Sequence, residues 1–262
     1  MKKFPTCLTV AGSDSGGGAG VQADLKTFAA LKVFGTSVVT AVTAQNTREV
    51  LDSCPLYPEE VESQLEAIFD DFNVKAIKTG MLADGDIVSV VARKLKAERV
   101  KNLVVDPVLV AKSGARLLTA EGAEVLVKKL FPLAALITPN LPEAEALSGM
   151  KIRADEDYRK AAEKLLGFGP RAVVIKGGHR KGDANDFFFD GKKAVWLKAR
   201  RAKMKAVHGS GCIFSAAICA NLAKGKPLLA SVRTAKGFMN RLLHSPFKPG
   251  RGHWVTDPML RS

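Results

Sequence analysis

Long apolar runs are missing from this 262-residue chain, and none approaches the ~20 residues that a membrane-spanning helix needs. The opening MKKFPTCLTVAG is interrupted by Pro5, so it reads as a first strand and not as a signal peptide. Cysteine is scarce. The four, at positions 7, 54, 212 and 219, form no CxxC pair, and in a chain of this length they read as reduced thiols of a cytoplasmic protein. His179, His208, His244 and His253 are scattered and no HExxH occurs, so no zinc site is expected. With only two Trp and two Tyr, and no aromatic–basic interleaving, the chain offers no platform for stacked bases. Familiar nucleotide and hydrolase signatures are absent too. There is no GxxxxGK[ST]. GAGVQA (18–23) matches GxGxxA after a strand, but the acidic residue needed about 20 positions on is replaced by TAVTAQ. In GSDSG the centre of a would-be nucleophile elbow is Asp14. Acidic residues are missing from the last quarter. Residues 191–262 hold 15 basic side chains and one acidic, Asp257, whereas residues 1–190 hold 25 of each. The whole net charge of +14 therefore belongs to that quarter, as an anionic partner or a solvated lysine surface would require.

What is present is a regular alternation. CLTVAG, SVVTAVTA, AIKTG, LVVDPV, AALITPN and AVVIKGG read as buried strands. Between them lie amphipathic segments at 21–31, 59–72, 86–96, 121–130 and 155–166. The pattern predicts an α/β fold: a three-layer α/β/α sandwich with a mostly parallel central sheet, formed by one domain over 1–262. After Lys176 the pattern changes to a hairpin, NDFFFDG and KAVWLKA joined through Asp190-Gly191, and then to two helices at 211–224 and 227–243.

The strand ends carry Gly, Asn, Gln, Asp and Lys, and in open α/β sheets ligands bind beyond the carboxyl ends of the strands. HGSGC (208–212) stands out. Its glycines permit close backbone approach, and the amides of Gly209, Ser210, Gly211 and Cys212 can form an anion-binding nest at a helix N-terminus. An ordinary glycine turn opening a buried helix is the other reading. If the nest holds, the helix end predicts a lowered pKa for Cys212 and a thiolate able to take a proton from a hydroxyl.

These motifs together resemble the hydroxymethylpyrimidine/phosphomethylpyrimidine kinases of thiamine biosynthesis, in the ribokinase-like superfamily. The shared stretches are TVAGSDSGGGAGVQADLKTFAAL, VTAQNT, KTGML, VVDPVLVAKSGARLL, LITPNLPEAEAL, VVIKGGH and HGSGC, in the family's order and spacing. The resemblance implies a substrate pocket of Gly12, Ala19, Asp24, Gln45, Met81 and Val108. It implies a nucleotide end of Asn140, Glu143 and Lys176, with Asp106 and Glu143 near Mg²⁺, and a catalytic group of Gly209, Ser210, Gly211 and Cys212. Cys212 stands where many ribokinase-like enzymes carry an aspartate base. Asp24 and Glu143 also suit helix N-termini as dipole partners. ATP is the implied co-substrate, and a homodimer the implied assembly, with no nucleic acid and no membrane as partners.

Two features depart from the family pattern: Ser210 stands where Thr is usual, and Met204–Val207 where Thr or Asn are more frequent. Pyridoxal kinase of the cysteine-bearing kind shares this framework and is the alternative activity. A nucleic-acid-binding protein and a non-catalytic regulator are the readings from other classes.

Overall fold

A computed structural model of the protein describes residues 4–110, 114, 117–180, 182–201 and 207–259. The chain runs β1 (Thr6–Asp14), α1 (Gly20–Ala30), β2 (Phe34–Gln45), β3 (Val50–Pro55), α2 (Pro58–Asp71), β4 (Val74–Thr79), α3 (Gly85–Ala97), β5 (Leu103–Val105) and α4 (Ala120–Val125). It continues with β6 (Leu136–Ile137), α5 (Leu141–Ser148), α6 (Asp155–Leu166), β7 (Val173–Ile175), β8 (Asp186–Phe189), β9 (Ala194–Leu197) and β10 (Val207–His208). Helices α7 (Ser210–Ala223) and α8 (Leu228–Leu243) and strand β11 (Trp254–Val255) complete it. Each strand and helix expected from the apolar pattern is present within a few residues. The helix expected at 121–130 is shorter than one α-helix: α4 passes into a wider π turn at Leu126–Leu130.

Nine strands form one sheet in the order β3-β2-β1-β4-β5-β6-β7-β8-β9. The pairs from β2 through β7 are parallel, and β3, β8 and β9 add antiparallel edges. The short central strands are apolar throughout because helices cover both faces. On one face α1, α7 and α8 pack through Phe28, Ile213, Ile218, Val232 and Phe238. On the other, α2, α3, α5 and α6 pack through Leu65, Ile87, Val91, Ala144 and Leu165. This is the three-layer sandwich that the sequence predicts. Strand β3 was not expected. Most of its residues are exposed, so it carries no apolar alternation to read.

Strand order reverses between β1 and β4, so their connecting loops diverge to opposite faces and leave a crevice at the carboxyl ends. The β1–β2 register slips between Ala11 and Ser13, where β2 carries one extra residue opposite Gly12 at the lip of that crevice. Helix α7 is buried on nearly all sides, from Ile213 to Leu222, and its N-terminus opens into the same crevice. Phe247–Val255 then returns across it: β11 pairs with β10, and His253 N–H donates to the Thr47 carbonyl at 2.7 Å.

Candidate active site

The crevice is a cavity of about 310 Å³, a size suited to a small ligand. One end is formed beyond β1, β2 and β4, by Gly12, Ala19, Gln45 and Met81, with Val108 from the loop after β5. The other is formed beyond β5 to β8, by Asp106, Asn140, Glu143, Lys176, Ala184 and Asp186, with Lys236, Met239 and Leu243 of α8. Gly209, Ser210, Gly211 and Cys212 line it between the two.

That placement follows from backbone sterics. Gly209 has φ +76°, and a Cβ there would overlap the Gly18 carbonyl oxygen, so the glycine turn lies directly against the β1–α1 loop. Two residues on, a Cβ at Gly211 would stand 3.3 Å from Lys176 Nζ and 3.6 Å from Asp106 Oδ2. The Gly209–Cys212 turn thus bridges the two ends of the cavity.

At the second end, Lys176 Nζ donates to Asp106 Oδ1 at 2.6 Å. Thr138 Oγ1 and Ser215 Oγ, each at 3.2 Å, donate to Asp106 Oδ1 and Oδ2. Burial alone would lower the Lys176 pKa, but the neighbouring Asp106 and Glu143 carboxylates outweigh it and raise it. Asn140 and Glu143 form a reciprocal capping box on α5: Glu143 N–H donates to Asn140 Oδ1 at 2.9 Å, and Asn140 N–H to Glu143 Oε2 at 2.7 Å. The expected dipole role of Glu143 is therefore real, and it coexists with a place on the cavity wall. Burial first, with Asp106 adding and Lys176 opposing, pushes the Glu143 carboxyl up to about 7.

Two expectations change. Asp24 does not reach the cavity. It is wholly buried beneath it, where it accepts from Lys78 Nζ at 2.7 Å and from Thr9 Oγ1 at 2.6 Å. Lys78, not Asp24, lines the wall, because a strand interior sends the long lysine side chain to the cavity and keeps the short carboxylate on α1 as its counter-ion. Burial alone would lower the Lys78 pKa; Asp24 overcomes this and holds the ammonium charged. The second change is at Cys212, whose thiol is pushed up and not down. Burial is the largest cause. Lys78 is the main opposing charge, while Asp24 and Asp106 push further up. Burial prevails over the Lys78 charge and the Gly20 amide hydrogen bond.

Sequence reasoning also missed His208, which faces Gln45 on the wall, its partner Asp14, and the Lys236–Asp186 ion pair at 2.7 Å. Lys78 carried a signal, a charged residue inside an apolar strand. His208 was in view within HGSGC but had no partner in sequence. Residues 204–206 of the departing stretch lie outside the described residues; Val207 begins β10. Among the described residues, no three His, Cys, Asp or Glu side chains gather to hold a metal ion.

Over residues 14–257 the sequence matches the phosphomethylpyrimidine kinase family. The chain belongs to that family. The hydroxymethylpyrimidine/phosphomethylpyrimidine kinase of Haemophilus influenzae is 45% identical over 98% of this chain and 97% of that protein. Among solved structures, an ADP complex of Bacillus subtilis pyridoxal kinase superposes with a TM-score of 0.91, covering 97% of both chains at 38% identity. The phosphomethylpyrimidine kinase of Clostridium difficile superposes with a TM-score of 0.81 over 91% of this chain and 99% of that one, at 41% identity. The fold is thus the ribokinase-like one that the resemblance implies.

Proposed function

We propose that this chain is a single kinase domain over 1–262 that uses ATP to phosphorylate 4-amino-5-hydroxymethyl-2-methylpyrimidine, and then its monophosphate, in thiamine biosynthesis. The observation that carries this reading is the nest at Gly209–Cys212, held between a small-molecule end and the Lys176–Asp106 end of one cavity. Gly12, Ala19, Gln45, Met81 and Val108 hold the ring. Asn140, Glu143 and Lys176 face the nucleotide phosphates, with the Lys236 end for the rest of the nucleotide.

Phosphoryl transfer passes through a loose transition state, so charge stabilisation and alignment dominate. The amides of Gly209, Ser210, Gly211 and Cys212 receive the transferring group at the positive end of α7. The alcohol oxygen bonds to the γ-phosphorus of ATP, whose bond to the ADP oxygen breaks so that ADP leaves, while Cys212, as its thiolate, accepts the alcohol proton. Its raised pKa makes the ionised form scarce but strongly basic, and the Lys78 charge sustains that fraction. In the second step the acceptor is a phosphate monoester, which carries no proton to remove above its second pKa of ~6. That step relies on cations and amides alone.

Magnesium fits the donor set. Asp106 and Glu143 are hard oxygen ligands without a third carboxylate, as suits an ion that keeps water and phosphate oxygens in its shell. These two residues would hold it, and bound there it supplies positive charge to the phosphate oxygens. The reduced cysteines fit a cytoplasmic protein. Among the described residues no helix is long and apolar enough to cross a membrane. Exposed Phe34, Val42, Leu51 and Tyr57 along the β2–β3 edge support a homodimer. The scarcity of Trp and Tyr argues against nucleic acid as a partner.

The test is turnover of the pyrimidine alcohol and its monophosphate by purified protein and by C212A. Alcohol phosphorylation should fall about 10²–10⁴-fold in the variant, the usual share of proton transfer, while monophosphate phosphorylation falls far less. No turnover of either by the wild type sinks the proposal. The likeness to pyridoxal kinase supports a second reading, in which pyridoxal is the better alcohol, and the same assay with both alcohols decides between them.

A further inference from the structure

The contacts around Gln45 leave a donor–acceptor conflict that only one arrangement removes. His208 Nε2 lies 3.1 Å from Asp14 Oδ2 and 3.2 Å from the Gln45 side-chain nitrogen. Asp14 is an acceptor. Its carboxylate already takes the amides of Gly16 at 2.8 Å, Gly18 at 3.1 Å and Ala19 at 2.8 Å. His208 must therefore carry its hydrogen on Nε2 and donate to Asp14. An N–H cannot also accept from an amide NH₂. On the other side, Thr43 Oγ1 lies 2.7 Å from the Ser13 carbonyl and 3.2 Å from Gln45 Oε1. A hydroxyl has one hydrogen, and the carbonyl at 2.7 Å takes it. Thr43 is then an acceptor facing another acceptor.

Turning the Gln45 amide over, a choice that heavy-atom positions alone do not make, removes both clashes: the NH₂ donates to Thr43 Oγ1, and Oε1 shares with Asp14, in a three-centre bond, the one hydrogen on His208 Nε2. We infer that an Asp14–His208 relay fixes the polarity of the Gln45 amide, with Oε1 toward His208 and the NH₂ toward Thr43, and that this polarity aims the substrate's hydroxymethyl group at the nest. The inference rests on the ring-binding role given to Gln45 above. An amide edge pairs with an amino-pyrimidine edge, its oxygen accepting from the exocyclic amino group and its NH₂ donating to the ring nitrogen. The held polarity puts the amino group on the His208 side. In the substrate the CH₂OH stands next to that amino group, and His208 is the residue before Gly209. The opposite polarity would turn the ring over and carry the alcohol away from Cys212. His208 and Asp14 are positioning residues here: they act through Gln45. A pyridine alcohol without the amino–ring-nitrogen edge gains nothing from the arrangement.

Two measurements test it. In ¹⁵N-labelled wild-type protein, the Gln45 NH₂ hydrogens should show nuclear Overhauser contacts to the Thr43 methyl group; contacts to the His208 ring hydrogens instead would overturn the inference, whatever the protein's activity. In kinetics, H208L should raise KM for the aminopyrimidine alcohol about tenfold or more, the cost of one mispaired polar group, with a smaller change for pyridoxine. H208Q, which keeps a donor at the Nε2 position, should restore most of the preference. An unchanged preference in folded H208L overturns the inference. A wild type inactive on the pyrimidine alcohol would instead sink the proposed function and leave the amide polarity to be read from the Overhauser contacts.

Discussion

Single residues set the chemistry here by what surrounds them. Cys212 opens a helix, yet desolvation decides its titration. In a C54S background, which removes the one exposed thiol, iodoacetamide should modify Cys212 only as pH rises past the ordinary thiol value of ~8.5. A midpoint below that value would contradict the account. Asp14 shows the opposite balance. Burial works to raise its pKa, but the His208 hydrogen bond and charge and the Gly16 and Ala19 amides win, and it is lowered. A carboxyl depressed in the fold stabilises at pH above its unfolded value of 3.8 and loses that contribution as pH falls through the folded one. The melting temperature of D14N should therefore lie below wild type at pH 6, with the gap closing toward pH ~3. A constant gap across that range would show that the charge is not the cause. Residue identities such as Gln45, Lys176 and Cys212 were legible as motifs. The Asp14–His208 and Asp24–Lys78 pairs were not, because they join positions 194 and 54 residues apart.

Elements place these residues, and most elements were legible. The parallel strands are short continuous apolar runs, and the amphipathic helices carry one buried stripe each. Strand β3 was hidden because edge pairing needs no apolar face, and the π turn after α4 was hidden because 3.6-residue periodicity does not distinguish it. The turn into α7 is the element on which the site depends. Gly209 and Gly225 both have φ near +80°, but only Gly209 is crowded; a Cβ at Gly225 would meet nothing within 4 Å. G225A should bear only the left-handed strain of roughly 1–2 kcal/mol, lower the melting temperature a few degrees and keep activity. G209A should lose more stability and nearly all turnover. Equal melting losses with retained turnover in G209A would dissociate the turn from the site.

Across the whole molecule, charge is distributed with purpose. The basic quarter contributes Lys236 of α8 to the cavity wall, beside Lys176 from the neutral part. Affinity for ATP should weaken several-fold between low and physiological salt as screening shortens the reach of these charges, while affinity for the uncharged pyrimidine alcohol stays level. Parallel loss for both ligands would exclude the charge field as the cause. The asymmetry itself was plain in the sequence; its reach to the cavity was not, since it needs the fold to bring Lys236 of α8 to Asp186 of β8.

The strap at Phe247–Val255 has one more consequence. It contributes to neither apolar layer, but it clasps the loop after β2 to the strand that leads into α7. In chain order the strap follows α8, the last helix of the two layers, and neither layer needs it to pack. A protein with both layers packed and the clasp open would be compact while its cavity wall still lacks His253, so packing of the layers and completion of the cavity are separable events.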